Sequence, residues 1–231
     1  IKQKLVIFFA GLMFLGGPAI SFCILYFLSP FYILGYQNLF LVPYFLWYVY
    51  DSLWHKSQHN GGHRFSFMRN LSIWKAFAAY FPVNIITTAT LDPSKTYLMG
   101  IHPHGLFSLG AFAAFATESV DVRSKLPGIT PHLGTLALNF LFPFTREYLM
   151  SLGLVSVARQ SFRSVLKKAG NAMIVVIGGT EEVKDAQPGS MKLFFEGRHG
   201  FAKEAIRAGA HLVPIISFGE NSTYQQATNP W

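Results

Sequence analysis

The residues best placed to do acid–base chemistry are His102 and His104 of the tetrapeptide His102-Pro103-His104-Gly105. The apolar run Thr96–Ile101 before it predicts a buried strand, and Leu106–Ser119 after it predicts a helix. Two imidazoles at such a handover stand at the carboxyl edge of a sheet, near the positive end of a helix dipole. Imidazole titrates near neutral pH, so either ring suits a general base. Pro103 stiffens the turn. Gly105 lets another backbone approach closely and leaves helix N–H groups free to hold an oxyanion. A packed or capping histidine pair has the same sequence, so both readings stay open here.

A second predicted strand, Ala172–Ile177, runs into Gly178-Gly179-Thr180-Glu181-Glu182. One of these carboxylates is placed to orient His104 and stabilise its imidazolium, a solvated acidic loop being the alternative. The glycines match neither a dinucleotide fingerprint nor a phosphate loop. Gly105-Leu106-Phe107-Ser108-Leu109-Gly110 has one residue too many before its serine to form a nucleophile elbow. Without a serine or cysteine nucleophile, a histidine base must act on a hydroxyl that the substrate supplies.

His55, His59 and His63 have helical metal-ligand spacing, as in a membrane oxygenase, but Gly61-Gly62 breaks the helix that would align them. The eight histidines are too few for the several boxes such an oxygenase needs. His102-x-His104 has no nearby acidic or cysteine ligand, so no metal is expected. Cations gather in the second half, among them Arg159, Arg163, Arg198, Lys203 and Arg207. They form either a solvated face or a seat for the phosphates of a large anionic substrate such as coenzyme A.

The elements that position these residues come in two kinds. From Leu5 to Tyr50, 46 residues, the chain has no Asp, Glu, Lys or Arg. A hydrocarbon core about 30 Å thick needs roughly 20 apolar helical residues, so this run suffices for two crossings. The break at Ser29-Pro30 predicts a transmembrane helical hairpin of Leu5–Leu28 and Phe31–Tyr50. Lys2, Lys4, Lys56, Arg64 and Arg69 flank it and place both ends in the cytosol. Pro18 and Pro43 are expected to kink the helices. Asp51–Asn70 is a polar connector, and Leu71–Tyr80 an amphipathic helix whose Trp74, Phe77 and Phe81 face is expected to lie on the membrane.

Beyond it the chain alternates predicted strands and helices: strand Gly134–Phe140, helix Pro143–Leu152, strand Leu154–Val157, helix Phe162–Ala169, helix Gly200–Ala208 and strand Leu212–Ser217. This alternation predicts an α/β domain with a mixed or mostly parallel sheet and flanking helices. The divisions are a hairpin over 1–53, a connector and amphipathic helix over 54–79, and a catalytic domain over 80–231. The net charge of +8, beside 51% hydrophobic residues, favours anionic headgroups or a polyanionic substrate over nucleic acid. Cys23, the one cysteine, lies in the apolar run and excludes an intrachain disulfide. A start at Ile1 and an end at Asn229-Pro230-Trp231 suggest a partial chain.

Seven features occur in one order along the chain: Tyr80-Phe81-Pro82, His102-Pro103-His104-Gly105, Arg146-Glu147-Tyr148, Gly178-Gly179 with Glu182, Arg198-x-Gly200-Phe201 with Ala205, Leu212-Val213-Pro214, and Phe218-Gly219-Glu220. Together they resemble the diacylglycerol acyltransferase type 2 family, which includes monoacylglycerol and wax-alcohol acyltransferases. The family is similar in layout to the glycerolipid acyltransferases that carry His-x4-Asp, yet Phe107 or Leu109 stands where that Asp would fall. The resemblance therefore suggests Glu182 as the substitute carboxylate. Leu126-Pro127-Gly128 departs from the more usual Phe-Pro-Gly. The family continues well beyond Trp231, so part of the sheet edge or acyl tunnel is expected outside this sequence.

The resemblance implies acyl transfer from acyl-CoA, a co-substrate with no bound cofactor, to the hydroxyl of a neutral glycerolipid. Diacylglycerol is the expected acceptor, with monoacylglycerol or a fatty alcohol as alternatives. His104 is the expected base, by resemblance and by its adjacency to the helix start, with His102 and Glu182 beside it and Pro103 and Gly105 forming the oxyanion turn. The expected location is the endoplasmic reticulum membrane, or a lipid droplet, with the catalytic domain cytosolic and the sequons at Asn70 and Asn221 unglycosylated. A non-catalytic lipid-droplet or scaffold protein is the rival reading.

Overall fold

The computed structural model describes residues 16–27 and 37–225. Five strands form one sheet in the order β3-β2-β4-β1-β5: β1 Tyr97–His102, β2 Thr130–Thr135, β3 Val155–Ser156, β4 Asn171–Val176 and β5 His211–Ile216. Every pairing among the described residues is parallel, the mostly parallel form of the expected sheet. β1 is buried at all six positions, as the near-continuous apolar run of a parallel strand covered on both faces requires.

Alternation along the strands feeds two cores. Met99, Ile101 and Ile174 pack on one face with Trp74, Phe77, Phe112 and Phe115. Leu98, Met173 and Val175 pack on the other with Phe162, Val165 and Ala205. The helices that cover the sheet are α3 (Ser72–Tyr80), α4 (Leu109–Ala111, continued by a π-helical turn over Phe112–Ala116), α5 (Thr145–Ser151), α6 (Arg159–Val165), α7 (Gly179–Lys184) and α8 (Gly200–Ala208).

Two sequence expectations are corrected. The strand expected at Gly134–Phe140 lies earlier, at β2, and Ala137–Phe140 forms a 3-10 turn. Leu136 and Leu138, which made that stretch look buried, are 69% and 59% exposed. The α3 face expected on the membrane instead turns inward. Trp74 and Phe77 are each 2% exposed and meet Phe112 with ring centroids 5.7 and 6.2 Å away.

In the apolar N-terminal region, α1 (Gly16–Phe27) and α2 (Gln37–Tyr50, with Pro43 inside it) are helical. The turn expected at Ser29-Pro30 and residues 1–15 lie outside the described residues. No helix among the described residues is long and apolar enough to cross a membrane. The end of α2 is fastened to the sheet domain by a buried ion pair between Arg146 and Asp51, with the Arg146 guanidinium over the rings of Trp47 and Tyr48. Tyr44 donates to Glu147 at 2.6 Å and stacks on Phe144 at 4.3 Å.

Candidate active site

β1 sits between β4 and β5, so its carboxyl end is flanked by whatever follows those two strands. After β4 comes Glu182 on α7, and after β5 comes Glu220, both buried. Glu182 Oε1 accepts from His102 Nδ1 at 2.5 Å and from the Phe194 amide at 2.8 Å, while Oε2 accepts the His104 amide at 2.7 Å. Gly178 makes room for this carboxylate: a Cβ there would stand 1.8 Å from Glu182 Cδ. The solvated acidic loop, the alternative reading of this segment, is not what forms: a short helix turns its second glutamate inward.

The expected pairing of Glu182 with the His104 ring is corrected. The carboxylate holds the His102 ring and the His104 backbone, because His102 is still in the strand and points to the side from which α7 approaches. His102 is 3% exposed, its ring lies 4.3 Å from that of Phe195, and its Nε2 has no hydrogen-bond partner among the described residues. Pro103 follows through a cis peptide bond.

His104 Nδ1 lies 3.0 Å from the Gly105 carbonyl, which can only accept. Nδ1 therefore carries the proton and Nε2 keeps its lone pair. Burial holds the His104 pKa below the ordinary imidazole value, against the Gly105 carbonyl and the charge of Glu182, which pull it up. The ring is therefore neutral at pH 7. The Ser108 hydroxyl donates to the His104 carbonyl at 3.0 Å and lies 3.3 Å from Nδ1.

The helix amides expected to hold an oxyanion are engaged. Glu220 Oε1 accepts from Leu109 N at 2.6 Å, and Oε2 accepts from Gly110 N at 3.0 Å and Ser217 Oγ at 3.1 Å. Burial raises the Glu220 pKa, and those three donors pull it back down. The Gly105 and Leu106 amides, one turn earlier, are not engaged by this carboxylate.

His104 lines a cavity of about 760 Å³ over the carboxyl ends of β2 and β4. Phe107, Phe112, Leu133, Leu154 and Phe162 form an apolar wall, and Arg159, Arg198, Lys203 and Arg207 also line the cavity. Arg198 donates to the Gly178 carbonyl at 3.2 Å, which ties the cationic side to the glutamate loop. Of the five cations singled out in the sequence, Arg163 is the one left off this wall. It stands 3.7 Å from buried Glu204, which also binds Arg207 at 2.6 Å.

The His55, His59 and His63 set is split: the rings of His55 and His63 stack with centroids 6.4 Å apart, and His59 turns elsewhere. His59 bonds Ser161 at 2.8 Å, while His55 and His63 lie 3.3 and 3.9 Å from Asp51. Gly61 and Gly62 both take positive φ between them. Among the described residues no group of three His, Cys, Asp or Glu is placed to hold a metal ion.

Sequence reasoning gave no role to Glu220 or Glu204. Glu220 stands in the Phe218-Gly219-Glu220 mark of the resemblance and just past an apolar strand, but neither signal gives it a role, which arises only because β5 neighbours β1.

The sequence profile of the diacylglycerol acyltransferase family matches residues 31–231. Human 2-acylglycerol O-acyltransferase 1 is 44% identical over 84% of this chain and 58% of its own length. Diacylglycerol O-acyltransferase 2B of Umbelopsis ramanniana is 44% identical over 87% and 59%. Human diacylglycerol O-acyltransferase 2 is 45% identical over 81% and 48%. The chain thus spans about half to three-fifths of the length of these curated relatives, and no solved structure matches it. With a profile match over most of its length and these identities, the chain belongs to the diacylglycerol acyltransferase family.

Proposed function

We propose that this protein transfers a fatty acyl group from acyl-CoA to the hydroxyl of diacylglycerol, with His104 as general base. The observation that carries the reading is the His104 ring, its Nδ1 hydrogen-bonded to the Gly105 carbonyl so that the Nε2 lone pair is left free, on the wall of a cavity that is apolar on one side and cationic on another. His104 Nε2 takes the hydroxyl proton, the alkoxide oxygen attacks the thioester carbonyl, and the tetrahedral oxyanion is held by backbone amides at Gly105 and Leu106. The C–S bond then breaks, the proton passes to the CoA thiolate, and an ester and free CoA leave. Glu182 acts on the backbone of His104 and on the His102 ring. Arg159, Arg198, Lys203 and Arg207 receive the CoA phosphates through charge-assisted hydrogen bonds. No bound cofactor is required.

Monoacylglycerol is the second acceptor to consider, because relatives of nearly equal identity are named for 2-acylglycerol and for diacylglycerol. A fatty alcohol offers the same nucleophilic hydroxyl. The charge-free run over 5–50 supports a bilayer anchor, with the reaction at the cytosolic face of the endoplasmic reticulum membrane and lipid droplets as the second site. Acceptor and product are both neutral lipids that dissolve there.

The test is acyl transfer in membranes bearing the wild-type chain, His104→Ala or His102→Ala, with labelled acyl-CoA and each acceptor offered separately. His104→Ala is expected to lower turnover about 10²–10⁴-fold, the usual contribution of a general base. Full activity in that variant overturns the assignment. The base acts unprotonated and burial depresses its pKa, so activity is retained as pH falls below about 6.5 and is lost only nearer the lowered value. An acid limb of kcat/KM centred at or above 6.5 contradicts this.

A further inference from the structure

We infer that Glu220 is a positioning residue for His104, fixing from the β5 side the loop that Glu182 fixes from the β4 side. The inference rests on the acyl-transfer reading of His104. The loop leaving β1 must turn His104 toward the cavity and then start α4 within four residues. Ser108, the residue before α4, adopts a left-handed conformation with φ 53°, which a serine does not take without help from its surroundings.

The help is Glu220. Its two oxygens take the amides of Leu109 and Gly110, the first two of α4, and Ser217 Oγ steadies the second oxygen. Immediately upstream, the Ser108 hydroxyl holds the His104 carbonyl and touches its ring nitrogen. The clamp is also close-fitting. A Cβ on Gly105 would lie 2.6 Å from Glu220 Cγ, and one on Gly110 would lie 2.6 Å from Oε2. A carboxylate that merely capped a helix would need neither glycine. Glu220 is 4% exposed and touches no cavity wall, so it acts through Leu109, Gly110 and Ser108 and not on substrate.

The experiment compares Glu220→Ala and Glu220→Gln with Glu118→Ala, a buried carboxylate that pairs with Arg69 away from the site. Two readouts are taken on each full chain in detergent: kcat and KM for acyl-CoA, and the rate at which diethyl pyrocarbonate modifies His104, followed by peptide mass spectrometry. Loosening the loop in Glu220→Ala is expected to lower kcat about tenfold or more, since small misplacements of a reacting group are costly. KM for acyl-CoA stays near wild type, because its cations ride on α6, α8 and the approach to α8. His104 is modified several-fold faster. Glu220→Gln, which keeps one carbonyl acceptor, falls between and serves where alanine does not fold. Glu118→Ala lowers the unfolding midpoint without changing His104 reactivity.

Wild-type kcat and His104 reactivity in both Glu220 variants overturn the inference, as does an equal change in Glu118→Ala. A wild-type chain with no acyl transfer removes the catalytic reading alone. His104 reactivity then still decides the clamp, faster modification supporting it and an unchanged rate overturning it.

Discussion

Arg69 and the His104 loop are both buried clusters of polar groups, and they differ in what is left over. Arg69 is fully buried, and all five of its N–H groups are used. Nε donates to Glu118 at 3.0 Å, Nη1 to Ala116 O at 2.8 Å and to Leu152 O, and Nη2 to Phe115 O and Thr117 O at 3.1 and 3.3 Å. Those carbonyls include the ones at the end of the π-helical turn after α4, which have no further helix to bond. At the other end of the same segment, His104 uses Nδ1 and keeps Nε2, and buried His102 keeps Nε2 as well. A cluster with nothing to spare holds a fold together. One with unspent hydrogen-bonding capacity beside a cavity is arranged for something that comes and goes.

The sharpest way to break this comparison is Arg69→Met. It leaves Glu118, 6% exposed at its side chain, without its main partner, and four carbonyls without donors. Removing one member of a buried pair typically costs about 3–5 kcal/mol. A large drop in the unfolding midpoint is expected, whereas His104→Ala should leave that midpoint nearly unchanged. If Arg69→Met unfolds like wild type yet stops turning over, Arg69 belongs to the site and the distinction fails.

Glu182→Gln is expected to have the next largest effect. Each carboxylate oxygen now faces donors, His102 Nδ1 and Phe194 N on one and His104 N on the other. An amide must turn its NH2 toward one of them, leaving a buried donor unmatched at about 1–3 kcal/mol. Borne by the transition state, that is roughly tenfold to a hundredfold in kcat. Gly178→Ala should reproduce the loss without touching the charge, since its Cβ would displace the carboxylate. Normal turnover in Gly178→Ala would mean that the contact of Glu182 with the His104 backbone is dispensable.

How much of this was legible follows from how far each feature depends on distant chain. β1 and β4 are apolar runs closed by histidine or glycine, and α8 ends at Gly209, whose positive φ makes the stop a local property. These were readable. β2 was displaced because Pro131, His132 and Gly134 carry no apolar run, while Leu136 and Leu138 beyond it are apolar but exposed. Trp74 and Phe77 showed a real amphipathic face, yet nothing local says whether lipid or Phe112 covers it. The meeting of Glu182 with the His102–His104 turn was foreseen, but which ring it holds depends on the side from which α7 enters. Glu220 was beyond reach because its role exists only through the order β4-β1-β5, which no single segment encodes.

The smallest predicted effect separates Arg163 from the other cations. In sequence it forms part of one basic set; in the fold its side chain is 66% exposed and faces Glu204 at 3.7 Å, outside the wall that His104 shares. Glu204 is buried, but with its cationic partner exposed at this distance solvent screens the pair, which contributes about 0–1 kcal/mol. Arg163→Gln should therefore change KM for acyl-CoA by a few-fold at most, and less as salt is raised. Arg198→Gln should raise KM clearly, because Arg198 is half-buried on the cavity wall and tied to the Gly178 carbonyl. Glu204 makes the pair of variants informative. It binds Arg207 at 2.6 Å, so losing Arg163 leaves that carboxylate to Arg207 alone and keeps Arg207 in place. If Arg163→Gln raises KM as much as Arg198→Gln, the phosphate seat extends over the outer rim of α6, and exposure is no guide to which cations serve it.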